Sequence, residues 1–255
     1  MKKLLEYLLF PPRCVGCGRR FDIFRENCET VFCPDCRAAW ERAKMSPCPS
    51  CGLPILDCTC VPAALAKRNM ALVSLVKYET SLAPDGALAG KSGATRLILR
   101  MKQTRNAKAF AFSAEELSRR LSVWEARSGI DLSEAVVTFV PRKKRSVAMY
   151  GFDHAKEIAR RLAKLRGLPC EALLFRLHGG KDQKELNKKE RQKNVQGKYG
   201  IQDKDLSGRT VILVDDVMTT GATLTACADL LWQAGAERVL AATLARTEAS
   251  GRRKA

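Results

Sequence analysis

Histidine is almost missing from this chain, with two residues in 255. No side chain therefore stands out as a general base for an acceptor. No apolar run approaches the roughly 18 residues of a membrane span, which excludes a transmembrane helix. A secretory leader is missing too. The apolar run of Met1–Phe10 is short and broken by Glu6, and Pro11-Pro12-Arg13-Cys14 offers no cleavage site. That segment reads as a short amphipathic helix. Acidic residues are few beside basic ones, 27 Asp and Glu against 45 Lys and Arg, leaving a formal net charge of +18. Such an excess points to a polyanion: a phosphorylated metabolite, nucleic acid or acidic lipid. Internal repeats are absent apart from paired cysteines. With 46% hydrophobic residues the chain can build a core, so wholesale disorder is excluded.

Cysteine is what the chain has in plenty, and nine of its 11 cysteines fall in the first 60 residues. That composition step predicts a small domain over 1–62 and a larger one over 63–255. The pairs are Cys14-x2-Cys17, Cys33-x2-Cys36, Cys48-x2-Cys51 and Cys58-x-Cys60. A two-residue spacer lets both thiolates reach one tetrahedral ion from a tight knuckle. Gly18 and Gly52 follow two pairs, where the turn calls for positive φ. Eight ligands suffice for two structural zinc sites. Sequential grouping is the simpler arrangement, and interleaved grouping stays open. Disulfides are the competing reading, and the absent leader and knuckle spacing speak against them. Cys28 is left over, while Cys170 and Cys227 sit among apolar residues and read as core.

The basic excess is local. Residues 141–200 carry 17 basic and 6 acidic side chains, whereas 201–255 carry seven of each. A window of this kind suggests an anion site, with a solvated helical face as the plain alternative. The segment 80–95 is rich in Gly, Ala, Ser and Pro and reads as a surface loop.

The sharpest motif is Val211–Leu224, VILVDDVMTTGATL. Val211–Val214 predict a buried parallel strand, ended by Asp215 and Asp216. Thr219-Thr220-Gly221-Ala222-Thr223 then turn into a helix reaching about Ala234, with Gly235 after it. A small-residue loop at a helix N-terminus offers backbone N–H groups and hydroxyls to a phosphate. Paired carboxylates at the strand end suit ribose hydroxyls. Val136–Pro141 predict a second buried strand, followed by Arg142-Lys143-Lys144-Arg145 and a helix over Ala155–Arg166. Leu173–Leu177 and Arg238–Arg246 predict further strands. Arg96, Arg100 and Lys102 lie at helical spacing.

The 211–224 segment resembles the phosphoribosyl-pyrophosphate (PRPP) motif of type I phosphoribosyltransferases. That resemblance implies Asp215 and Asp216 on the ribose hydroxyls, with Mg²⁺ accompanying PRPP, and Thr219, Thr220, Gly221, Ala222 and Thr223 around the 5′-phosphate. It implies Lys102, Arg142 and Arg145 as contacts for the pyrophosphate or another anion. Purine-salvage members carry an acid where Thr219 stands, so purine-base salvage is disfavoured. The opening Met1-Lys2 in place of a Cys nucleophile speaks against an amidotransferase. Over nearly its whole length the chain resembles the ComF family. The double cysteine ribbon, Ile98-x3-Lys102, the Pro-Arg/Lys block before Gly151-Phe152, Gln183…Arg191-x2-Asn194, the PRPP loop and Leu244-Ala245-Arg246 come in that order. Tyr150-Gly151-Phe152-Asp153-His154 depart from the family's Arg-Gly-Phe-Asn-Gln. The resemblance implies an α/β, type I phosphoribosyltransferase-like fold, a Rossmann-like parallel sheet flanked by helices, with a small N-terminal zinc-ribbon domain. It implies a cytoplasmic protein of natural competence that handles incoming single-stranded DNA, with a competence helicase or other DNA-uptake protein as partner. An active transferase of unknown acceptor is the alternative. Tyr150 and Phe152 are candidates to stack on bases, Phe152 alternatively as a helix-entry staple, and His154 reads as helix surface.

Overall fold

The computed structural model describes residues 7–22, 24–27, 29–78, 93–103, 106–177 and 197–247. Cys28, His178, Gln183, Arg191, Asn194 and nearly all of the 80–95 segment lie outside them.

Among the described residues, four parallel strands make the central sheet: β1 (Ala71–Lys77), β2 (Val136–Phe139), β5 (Thr210–Met218) and β6 (Arg238–Arg246). Their spatial order is β1-β6-β5-β2. β5 and β6 are central and are buried along almost their whole lengths, so apolar residues fill both of their faces. Parallel neighbours require crossovers, and helices supply most of them. Among the described residues the helices include α1 (Pro34–Lys44), α2 (Ala63–Ala66), α3 (Gly93–Gln103), α4 (Ala107–Ser128), α5 (Lys144–Tyr150), α6 (His154–Arg166) and α7 (Ala222–Gln233). A separate antiparallel pair joins β3 (Leu174–Arg176) to β4 (Tyr199–Ile201).

Side chains alternate across β5 and divide the core in two. Ile212 and Val214 pack with α4 and α6 on one face; Val211 and Leu213 pack with α7 and the β3–β4 pair on the other. α1 joins the first face. Its Trp40 is fully buried, lies 5.3 Å from Phe112 of α4 between ring centroids, and donates Nε1–H to Glu116 Oε2 at 3.1 Å. Lys44 of α1 bonds the same oxygen at 2.9 Å. Burial raises the Glu116 carboxyl, but the donors Lys44, Arg119 and Trp40 outweigh it and hold the group below its usual range.

β5 differs from its expected extent. The acidic pair does not end it: the strand continues to Met218, with Asp215 paired to Thr243 and Val217 to Ala245. The reason is β6, which runs alongside to Arg246 and keeps the ladder going. β2 stops at Phe139, opposite Val214. Asp215 is thus the first residue of β5 beyond the end of β2.

Candidate functional site

β5 delivers Asp215 and Asp216 to opposite sheet faces, continuing the alternation of Val211 to Val214. Asp215 is half-buried on the α7 face, and its charge is felt by Tyr199 and Cys227 there. Asp216 is buried on the α6 face. Its Oδ2 lies 2.6 Å from His154 Nε2, and its Oδ1 accepts the Val217 N–H at 2.6 Å. His154 is therefore not a surface residue, as its sequence position suggested. It is the first residue of α6 and shares the buried face of Ala155, Ile158 and Leu162. That spacing was the signal available in the sequence. Asp153 caps the same helix, accepting from Ala155 N at 3.1 Å and Lys156 N at 3.3 Å. Its other oxygen accepts the Arg142 N–H at 2.9 Å, which ties the end of β2 to the start of α6.

The turn after β5 runs from Thr219 into the first turn of α7. Thr219 and Thr220 are exposed, and Ala222 and Thr223 are half-buried. Gly221 takes φ +78, and a Cβ there would come within 2.3 Å of Leu65 Cδ1, so both backbone and space require glycine. α7 begins at Ala222, whose N–H reaches Thr220 Oγ1 at 3.4 Å, so the N-terminal end of the helix faces the turn. The turn is tethered from β6, where Thr247 N donates to Met218 O at 2.9 Å and Thr247 Oγ1 to Thr219 O at 3.2 Å. Below it, Arg68 holds Asp229 of α7 through bonds of 2.7 and 3.0 Å.

The other expected anion contacts are dispersed. Arg142 is half-buried just beyond β2, with its guanidinium 4.8 Å from the Tyr150 ring centroid. Lys102 lies in the last turn of α3 and Arg145 in the first turn of α5; their side chains are outside the described part. Phe152 is buried and packs edge-on against Phe110 at 5.7 Å, so it is a core residue and not a stacking platform.

The cysteines assemble as two tetrads, Cys14, Cys17, Cys33, Cys36 and Cys48, Cys51, Cys58, Cys60, each with its sulfurs within 4.8 Å of one another. Grouping is sequential. Tetrahedral zinc with bonds of about 2.3 Å requires sulfur–sulfur edges of about 3.8 Å. Cys17 and Cys33 lie 3.8 Å apart and Cys51 and Cys58 3.5 Å, so the donor set fits such an ion. Gly18 and Gly52 do take positive φ, +80 and +73. Burial raises the Cys33 thiol, but the Cys36 N–H and neighbouring donors bring it down to about 7. Contact with Cys51, reinforced by burial, pushes Cys60 up to about 12.

Sequence reasoning missed the cations behind the second tetrad. Arg120, fully buried on α4, donates to Cys58 O at 3.1 Å. Arg246, the last residue of β6, donates to Cys60 O at 2.9 Å. Both are remote in sequence from the cysteines they serve, so no local pattern marks them.

A family model described as "Phosphoribosyl transferase domain" matches residues 116–255. The chain belongs to the phosphoribosyl transferase domain family. Its sheet and crossover helices are those of the type I phosphoribosyltransferase fold. Curated relatives carry the name "DNA utilization protein YhgH". The one from Salmonella typhimurium is 26% identical over 221 residues, 85% of this chain and 90% of that protein. The one from Escherichia coli (strain K12) is 28% identical over 227 residues, with the same coverage. These matches extend well upstream of the phosphoribosyltransferase domain, in keeping with the whole-chain ComF resemblance. Among solved structures, the chain is similar to a purine phosphoribosyltransferase from Pyrococcus horikoshii (20% identity, TM-score 0.31, 52% of this chain and 70% of that one). It is similar also to the hypoxanthine-guanine phosphoribosyltransferase from Schistosoma mansoni (17%, TM-score 0.31, 58% and 60%).

Proposed function

We propose that this protein binds PRPP, or a nucleotide-like phosphate, at the β5–α7 turn and acts on DNA during its uptake or use. The observation that carries the reading is the turn itself: exposed hydroxyls and helix-end N–H groups stand beside two carboxylates on the parallel strand. The 5′-phosphate sits on Thr219–Thr223, where fixed N–H dipoles replace its water. Asp215 accepts one ribose hydroxyl. Asp216, which bonds His154 and the Val217 N–H, accepts the other. His154 fixes its orientation. Mg²⁺ would neutralise the pyrophosphate, with Asp215 as the hard oxygen donor at hand. Arg142, Lys102 and Arg145 serve the same anion. The relatives' name supplies the DNA half of the reading, and the basic window supports it.

A second reading, transfer of the ribosyl group to an acceptor, draws on Arg142 at the end of β2. The acceptor attacks C1, the bond from C1 to pyrophosphate breaks, and pyrophosphate leaves with the electron pair beside that cation.

We propose residues 1–62 as a metal-dependent unit holding one zinc in each tetrad. Zinc would supply a structural cross-link and no reactive position, since four thiolates fill its shell. Cytoplasmic placement belongs to the same proposal. Asp215→Ala tests the site: PRPP binding by calorimetry should be lost while single-stranded DNA binding persists. Unchanged PRPP affinity in that variant would contradict it.

A further inference from the structure

A cleft of about 610 Å³ lies between the end of β2, α6 and β3, and none of its lining residues belongs to the β5–α7 turn. Its volume falls in the range of ligand sites, roughly 300–1,000 Å³. Four cations line it, Arg142, Lys156, Arg160 and Arg176, against two acids, Asp153 and Glu157. Both acids are already engaged. Asp153 caps α6 and holds the Arg142 N–H, and Glu157 accepts Arg161 Nη1 at 2.6 Å. The cleft is therefore electropositive.

Two further features define what it takes. Lys156 and Arg160 continue as a stripe to Lys164, at i, i+4 and i+8 of α6, and all three are exposed. Successive members stand about 6 Å apart along the axis. Like charges at that spacing weaken a helix, and a bound anion relieves the cost. The cleft wall also carries an exposed ring. Phe175 is 39% exposed although it sits in β3. It is held in place, because its partner in the ladder is Gly200, where a Cβ would lie 2.4 Å from the ring. A fixed, exposed aromatic beside a line of cations is the arrangement that takes single-stranded nucleic acid: phosphates on the cations, a base on the ring.

We propose that this cleft and the α6 stripe form a single-stranded DNA site separate from the PRPP turn, with Lys156, Arg160 and Lys164 on phosphates and Phe175 stacking a base. The proposal rests on the DNA reading above. An acidic protein segment would use the cations and leave the ring idle.

The test is fluorescence-anisotropy binding of a 15-residue oligothymidylate to the full chain at several salt concentrations. Lys156→Ala with Arg160→Ala should lower the slope of log affinity against log salt by about 0.7 per removed cation. Phe175→Leu should weaken binding about tenfold, the effect of one lost stack, with the slope unchanged, and Phe175→Trp should restore it. PRPP affinity should hold in all three. Oligonucleotide affinity unchanged in the variants would overturn the site while leaving the DNA reading intact. Loss of PRPP binding in the double variant, or equal competition by polyglutamate, would overturn it as well. If the wild-type chain binds no oligonucleotide, the DNA reading itself fails and this site with it.

Discussion

At the residue scale, the acidic pair of β5 divides its labour. Asp215 is half-buried and faces α7, whereas Asp216 is buried and held by His154 at 2.6 Å. A hydrogen bond to a charged group contributes about 1.5–3 kcal/mol. His154→Ala should therefore weaken PRPP binding by at least tenfold, and His154→Gln should recover part of it by keeping a donor. Equal affinity in His154→Ala and wild type, measured by calorimetry, would remove His154 from the site. The motif residues themselves were readable because each is tied to local backbone: a turn glycine, hydroxyls, a strand end. His154 was not, because its partner lies 62 residues away. Arg246 was hidden in the same way, 186 residues from Cys60.

At the scale of elements, β6 links the second cysteine tetrad to the β5–α7 turn. Arg246 at its end reaches the second tetrad, and the adjacent Thr247 holds the β5–α7 turn. Four thiolates on a divalent ion leave two negative charges, and Arg120 and Arg246 carry two positive ones beside them. Arg246→Met should speed zinc release from the second tetrad to a chelator and leave the first tetrad's release unchanged. Equal release rates in variant and wild type would show that the cation does not support the metal. α1 and α4 form a second link through Glu116. Its carboxyl is depressed in the fold, so its contribution is present at neutral pH and fades as pH falls through the carboxylate range. Glu116→Gln removes that contribution at pH 7, and breaking a buried pair of this kind costs about 3 kcal/mol. Denaturant unfolding followed by circular dichroism measures it; a shift under 1 kcal/mol would place the junction's strength in the aromatic packing. α4 had escaped the sequence reading because Ser113, Glu116 and Arg120 interrupt its buried face. β1 escaped because Ser74, bonded to Thr243 at 2.7 Å, breaks its apolar run.

At the scale of the whole molecule, the net charge of +18 is uneven. Part of it is internal: Arg120 and Arg246 are buried against the cysteine segment. Part faces outward as the α6 stripe beside the cleft. Composition alone reports a polyanion partner and does not distinguish these uses. The apolar runs of β2, β5 and β6 were legible as strands, that of β5 as a buried parallel one, and the family resemblance implied the fold class. The order β1-β6-β5-β2 was not, because it is set by crossovers that bring residues 71–77 beside 238–246. The metal unit makes a global prediction as well. Stripping zinc with a chelator under reducing conditions should unfold residues 1–62, because structural thiolate sites contribute on the order of 10 kcal/mol to folding. Two zinc ions per chain by metal analysis is the expected content; none would contradict the tetrads as metal sites.

The β5–α7 turn is proposed here as a phosphoribosyl site. The direct measurement is a calorimetric titration of the zinc-loaded chain with PRPP in the presence of Mg²⁺. Saturable binding of one PRPP per chain is the predicted result, weakened when Mg²⁺ is withheld. No heat of binding, with the chain folded and its zinc in place, would contradict a phosphoribosyl site at this turn.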